Sequence, residues 1–227
     1  MNIILFNISF NFVNFYQYLC EDMPKKLLIE LPYLGNLAFY NQLTKYDTVI
    51  FEKQEFFQKS SYRNRCEISG PNGKLVLSVP IVGGKDKKQY YSQTKISYDH
   101  HWQKDHWNSL CSSYRRSPYF EYYEDKFEKI FDKDYETLFS LNLELFLLIK
   151  DLLKLDLAVE FSESYQKEAA EDIDDYRSHF LPKREFPIAI QYLQVFEDRT
   201  GFIPNLSIVD LLFNEGPNSL HLLKQLN

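Results

Sequence analysis

Three short stretches of the chain carry side chains whose types and spacing can do chemistry. The first is Ser61-Tyr62-Arg63-Asn64-Arg65. Two guanidiniums two residues apart project to one face of an extended segment, and each can fork onto phosphate or carboxylate oxygens. The same pair would also serve as solvated arginines ahead of a strand. The second stretch is His100-His101-Trp102-Gln103-Lys104-Asp105-His106-Trp107. On a helix Trp102 and His106 are i,i+4 neighbours, whereas His101 and His106 are five apart and diverge, so no His-x-x-x-His metal clamp forms. His106 is a candidate general base or, when protonated, an anion partner. Against that stands a plain alternative, with Trp102 and Trp107 as packing anchors and the histidines as surface polar groups. The third stretch is Ser112-Ser113-Tyr114-Arg115-Arg116-Ser117-Pro118-Tyr119-Phe120. Its arginines sit at a helix C-terminus, where cations are favoured in any case, and Pro118 opens a new helix whose N–H groups suit an anion.

Two weaker signals accompany these. The turn Pro32 to Asn36 places a helix N-terminus after a buried strand, where α/β proteins hold ligands, but it lacks a Gly-x-Gly-x-x-Gly or a P-loop. Cys66 and Cys111 have no base at a known spacing and read as structural thiols.

The elements that must position these residues follow from hydrophobic periodicity. Leu27 to Leu31 reads as a buried strand, Asn36 to Tyr46 as a helix and Thr48 to Glu52 as a second strand, which together make a βαβ unit. Arg65 to Ser69 and Lys74 to Pro80 flank Pro71-Asn72-Gly73 as a hairpin, with Asn-Gly expected to take positive φ angles. Val82 to Gln93 reads as a basic loop, and Lys95 to Tyr98 as a short strand. Helices are predicted from His101 to Arg115, from Tyr119 to Phe131 and from Tyr135 to Leu155, the last with a core stripe of Leu138, Leu141, Leu145, Leu148 and Leu152. Leu157 to Phe161 follows as a strand, Glu163 to Arg177 as a loop or weak helix, and Gln191 to Phe196 as a strand. Ser207 and Asp210 have the spacing of a capping box at the start of a helix that Gly216-Pro217 ends. The expected class is α/β: a mixed sheet with a βαβ opening, a hairpin insertion and a helical C-terminal half.

Composition sets limits on function. With 44% hydrophobic and 17% aromatic residues the chain has the material for a core. No apolar run reaches membrane-spanning length, so membrane insertion is not expected, and three unrelated cysteines form neither a disulfide framework nor a zinc pattern. A cytoplasmic location is the expectation. Met1 to Leu19 is apolar but has no Lys or Arg and no cleavage site, so residues 1–22 read as a non-native or disordered extension before Met23, with 23–227 as one domain. An extra strand or helix is the alternative. The net charge of −6 hides an asymmetry: residues 53–116 hold 12 Lys/Arg against 5 Asp/Glu, while residues 117–227 hold 11 against 22. A basic segment within an acidic chain favours a local anionic ligand over nucleic acid.

Several motifs, in their order and spacing, resemble the WbqC-like protein family. They are Leu31-Pro32-Tyr33-Leu34-Gly35, Lys59 to Arg65, Asn72-Gly73 before a Leu-x-Val-Pro strand, Trp102-Gln103-Lys104-x-His106-Trp107, Tyr114-x-x-Ser117-Pro118-Tyr119-Phe120, and Phe202 to Gly216. Two stretches depart from that family. Where members often have His-x-Pro, this chain has Ile29-Glu30-Leu31-Pro32, and Ile173 to Phe186 lacks the glycines of a common strand-loop. The resemblance implies a role in bacterial surface-polysaccharide production of the O-antigen type, with glycine or amino-acid transfer as the suggested activity.

The leading expectation is therefore a transferase acting on an activated anionic donor, nucleotide-linked or aminoacyl. Arg63 and Arg65 would hold the anion, Lys104 would neutralise it, and His106 would act as base. Tyr33, Asn36, Asn64, Trp102, Tyr114 and Tyr119 would line the substrate, and no metal is expected. A non-catalytic binding or scaffold protein and a nucleotidyltransferase or ligase are the rivals.

Overall fold

The computed structural model describes residues 25–83, 88–187 and 190–226, and the expectation about residues 1–22 lies outside them. Strand β1 (Lys26–Ile29) and strand β2 (Thr48–Phe51) are joined by helix α1 (Leu37–Leu43). They pair in parallel, from Lys26 opposite Thr48 to Ile29 opposite Phe51. Leu27, Ile29, Val49 and Phe51 are fully buried, as the continuous apolar runs of a covered parallel sheet require. Strand β5 (Ala158–Phe161) adds beside β2 and strand β6 (Ile173–Asp175) beside β1. The order is β5-β2-β1-β6, with every pair parallel.

Chain succession runs outward from β1 to β2 and β5, then returns to the other side of β1 for β6. The gap between β1 and β6 is thus a topological switch point, and open α/β sheets hold ligands just outside the carboxyl ends of strands at such a point. Strand β6 lies within the stretch expected to be loop or weak helix. Ile-Asp-Asp is too short and too acidic to read as a strand, and only the ladder offered by β1 makes it one.

The hairpin of β3 (Arg65–Gly70) and β4 (Gly73–Ser78) forms a separate antiparallel sheet. Gly70 pairs with Gly73, so Pro71 and Asn72 are the central turn residues. Gly73 alone of the turn takes a positive φ, 104°, rather than Asn72 and Gly73 together. Lys95 and Ile96 make only isolated bridges, to Thr137 and Ile81, in place of the expected strand.

Helices α2 (Trp102–Tyr114), α3 (Phe120–Phe131) and α4 (Leu138–Leu153) follow. Leu138, Leu141 and Leu145 are buried, with Leu148 and Leu152 partly so. Phe146 of α4 meets Phe51 edge-on at 4.8 Å and stacks on Tyr40, which fastens α4 to the βαβ unit. Three short helices close the chain: α5 (Glu197–Thr200), α6 (Ile208–Glu215) and α7 (Ser219–Gln225). Gln191 to Phe196 is irregular rather than a strand, because Tyr192 and Gln194 turn inward to Asp210. Ser207 caps α6 through its hydroxyl, but no capping box closes. The Ser207 N–H donates to the Glu67 carbonyl at 2.8 Å, and the Asp210 carboxylate faces away. Gly216 has φ 52°, and a Cβ there would run into the Tyr119 ring. No helix of the described residues is long and apolar enough to cross a membrane.

Candidate active site at the carboxyl ends of the parallel strands

The first residues beyond β1, β2 and β5 are Glu30, Glu52 and Ser162, and the chain leaving β6 carries Arg177 and Ser178. Their contacts form two neighbouring groups, one around Glu30 and Ser178 and one around Glu52, Ser162 and Arg177. Glu30 is buried and its Oε2 accepts the Ser178 N–H at 2.8 Å, which bridges the switch point between β1 and β6. Glu52 Oε1 accepts from the Ser162 hydroxyl at 2.6 Å and the Gln54 N–H at 2.7 Å, and its Oε2 lies 3.5 Å from Arg177. Arg177 also pairs with Asp175 at 2.5 Å and donates to the carbonyls of Gln166 and Lys167.

Arg63 is the other cation, and its guanidinium has no solvent exposure. Its Nε donates to Glu55 Oε1 at 2.9 Å, its Nη2 binds the same oxygen, and Glu30 lies at 3.8 Å. Asn142 of α4 donates to the Arg63 carbonyl and to the Tyr91 hydroxyl, each at 2.7 Å, and the Tyr91 hydroxyl donates to the Leu31 carbonyl. Burial works against the Arg63 charge, but Glu30 and then Glu55 outweigh it and hold the guanidinium above its ordinary range. Burial pushes the Glu55 carboxyl up; Arg63 opposes the shift, and Glu30 and Glu52 reinforce it. Glu55 therefore combines a raised proton affinity with a side chain still 12% exposed, a combination suited to proton transfer. Its Oε1 is held by Arg63 and its Oε2 accepts no hydrogen bond from the described residues. Gln58, exposed to solvent, accepts from Arg63 at 3.3 Å and from the Ser178 hydroxyl at 2.9 Å.

His106 belongs to a second group. Its Nδ1 lies 2.8 Å from the Tyr33 hydroxyl. With the ring proton on Nε2 the Tyr33 hydroxyl donates to Nδ1, and with it on Nδ1 the hydroxyl accepts. Burial lowers the imidazole to about 4, so the ring is neutral near pH 7. Trp102 packs edge-on at 5.1 Å, and its buried Nε1 has no partner among the described residues. Arg65 pairs with Ser78 across the hairpin, so it borders this group; its Nε is buried without a partner, and no acid pairs with it among the described residues.

The sequence-predicted residues are thus divided. Arg63 and His106 lie on adjacent segments, joined by the Tyr33 N–H donating to the Tyr62 carbonyl at 2.8 Å, but their side chains serve different networks. The Arg63 charge is already matched by carboxylates. Lys104 precedes His106 by two residues, roughly 200° around a helix, and lines an exposed groove between α2 and α3. Asn64 donates to the Val79 carbonyl at 2.9 Å and holds the hairpin base. Asn36 caps α1 by accepting the Phe39 N–H at 2.9 Å. The neighbouring N–H groups of Leu37 and Ala38 go to the Leu206 carbonyl and Asn205 Oδ1, so the chain itself fills that helix N-terminus. Tyr114 accepts from the Ser69 N–H and donates to Asp210 at 2.8 Å, far from His106 in bonding terms. Tyr119 is half-buried over Gly216. Cys66 is buried and Cys111 half-buried in the α2–α3 groove, and burial pushes both thiols up. Among the described residues no group of three or more His, Cys, Asp or Glu is arranged to hold a metal.

Reading for basic residues overlooked Glu30, Glu52, Glu55 and Arg177. The available signal was an acid just beyond each opening apolar run, Leu-Leu-Ile-Glu and Val-Ile-Phe-Glu. The stretch Ile173 to Phe186 supplies Arg177 to Glu52 and Ser178 to Glu30.

Comparison with known proteins supplies one match. The model of the WbqC-like protein family matches residues 31–181, more than half of the 227 residues, and the span holds Glu52, Glu55, Arg63, His106 and Arg177. No curated protein and no solved structure matches the chain. The chain belongs to the WbqC-like protein family.

Proposed function

We propose that this protein is a transferase of bacterial surface-polysaccharide biosynthesis, of the O-antigen type. It moves an amino-acyl unit such as glycine, or a sugar, from an activated anionic donor. The carrying observation is Glu55 at the carboxyl ends of the parallel strands: Arg63 fixes one carboxylate oxygen and leaves the other open, on a group whose proton affinity burial has raised. In acyl transfer an acceptor amine attacks the donor carbonyl, the leaving group departs with its electron pair, and the amine proton passes to a base. Glu55 is that base. Gln58 and Ser178, bonded to each other beside this pair, orient the acceptor.

The saturation of Arg63 and Arg177 by carboxylates favours a second reading, a non-catalytic binding protein of the same pathway. Gene deletion followed by complementation separates the two. Mass spectrometry of the surface polysaccharide is expected to show a substituent lost on deletion, restored by the parent chain and not restored by Glu55→Gln, whose thermal unfolding stays close to the parent's. Full restoration by Glu55→Gln favours the binding reading, and an unchanged polysaccharide in the deletion strain overturns both.

A further inference from the structure

Residues 55–57 and 89–91 lie side by side as short antiparallel segments. The Tyr91 N–H donates to the Glu55 carbonyl at 2.8 Å, the Phe57 N–H donates to the Gln89 carbonyl at 2.9 Å, and Phe56 and Tyr90 form the bridge between them. Side chains alternate along extended chain. Glu55 and Tyr91 turn inward, to Arg63 and the Leu31 carbonyl. Phe56 and Tyr90 turn outward, where their rings stack with centroids 4.8 Å apart and planes 13° from parallel. They do so at the surface, 50% and 43% exposed.

Each ring covers one face of the other, and Lys88 Nζ stands 5.3 Å over Phe56. Tyr90, 43% exposed, keeps ring surface that a third ring can stack on. The pair forms one wall of a cavity of about 570 Å³ that also takes in Val82, Lys88, Gln93 and Lys95. That volume is within the roughly 300–1,000 Å³ typical of small-molecule sites. Lys95 pairs with Glu136 at 3.2 Å, but both side chains are largely exposed, and such a pair gives way readily to a better anion.

We infer that this cavity binds a nucleoside diphosphate, with the base stacked on Tyr90 and the phosphates against Lys88 and Lys95. The role follows from the proposed transfer reaction, of which the nucleotide would be the activated half of the donor. Glu55 and Phe56 are consecutive on extended chain and face opposite sides, so the nucleotide lies on the outer side of this segment and only the transferred end of the donor would pass around it to the Glu55–Arg63 pair.

The site is tested by calorimetric titration of the full chain with uridine diphosphate, adenosine diphosphate and inorganic pyrophosphate. Both nucleotides are expected to bind, and pyrophosphate more weakly by about tenfold, the typical value of one base–aromatic stack. Tyr90→Ser is expected to weaken nucleotide binding about tenfold while leaving pyrophosphate unchanged. Lys88→Glu is expected to weaken all three and to reduce their salt dependence. Tyr122→Ser, at an exposed position of α3, should change none of them. Equal binding of pyrophosphate and nucleotide, no binding at millimolar nucleotide, or unchanged binding by Tyr90→Ser and Lys88→Glu overturns the inference. No acceptor is present in this titration, so it is independent of transfer. Nucleotide binding lost on Tyr90→Ser, without a polysaccharide phenotype on deletion, overturns the proposed function and leaves this site standing; the reverse pair of results does the opposite.

Discussion

At the carboxyl ends of the strands Glu30, Glu52 and Glu55 share two guanidiniums, while in the helical half Asp210 is fully buried and touches no cation among the described residues. Asp210 rests on the hydroxyls of Tyr114 and Tyr192, at 2.8 and 2.6 Å, and on the Gln194 amide at 3.0 Å. Neutral donors satisfy its lone pairs without cancelling its charge, so burial lifts it to about 6 in spite of them. At the strand ends the charges are matched, but the matching is local and stops at Glu55, which keeps an open oxygen near solvent. The two regions also differ in what they join. Asp210 ties the hairpin through Tyr114 and Ser69, together with the Tyr192–Gln194 segment, to α6, and so acts as an internal fastening. The first region gathers the chain just after four strands, where side chains can meet a ligand without disturbing the sheet.

The largest effect expected from this contrast is on Arg63. Removing one partner of a buried ion pair leaves the other charge uncompensated, so Arg63→Ala should cost about 3–5 kcal/mol in chemical denaturation. A loss of that size makes Arg63 an organiser of Glu30 and Glu55. Unchanged stability would instead free it for the anion-binding role its sequence suggested.

Next is a pH test in which two buried groups act in opposite directions. His106 is lowered from 6.5 to about 4, so its contribution is complete above pH 6.5 and is lost as pH falls through about 4. Asp210 is raised from 3.8 to about 6, so its contribution is complete below pH 3.8 and is lost as pH rises through about 6. In the parent chain the two partly offset each other. Asp210→Asn keeps Asp210's neutral form at every pH, so urea titrations between pH 7 and 4 should expose the His106 loss, about 3 kcal/mol across the window. A variant whose acid limb matches the parent's would show that the two clusters do not titrate as described.

The smallest effect belongs to Lys104. It is exposed in the α2–α3 groove and forms no ion pair among the described residues, so Lys104→Ala should change stability by less than about 0.5 kcal/mol. It should also leave polysaccharide modification intact. A lost modification would move the functional centre from the strand ends to that groove.

Much of the scaffold was legible because local pattern and tertiary context agree. The apolar runs at Leu27 and Thr48, the leucine stripe of α4 and the Pro-Asn-Gly turn each carry their own periodicity or turn chemistry. Strand β6 was not legible, since Ile173-Asp174-Asp175 has no strand character until β1 offers hydrogen bonds. The capping-box reading of Asp210 failed for a related reason: the spacing was right, but two tyrosines and a glutamine from distant positions compete for the same carboxylate and win.

The sequence by itself determined the βαβ opening, the helical half, the family and the pairing of Trp102 with His106 on one helix face. The elements and the Trp102–His106 pair rest on local periodicity, and the family on the order and spacing of motifs along the chain. Only the tertiary structure decided which charges are free. Arg63 and Arg65 are alike in sequence and two residues apart, yet one is neutralised by Glu55 and Glu30 and the other has no acid partner among the described residues, because the chain turns at 61–64 and only Arg65 lies in extended β3, so the two side chains do not share a face. Whether a guanidinium can receive a ligand depends on the carboxylates that the fold has already placed around it, and at Arg63 those come from the chain beyond β1 and β2.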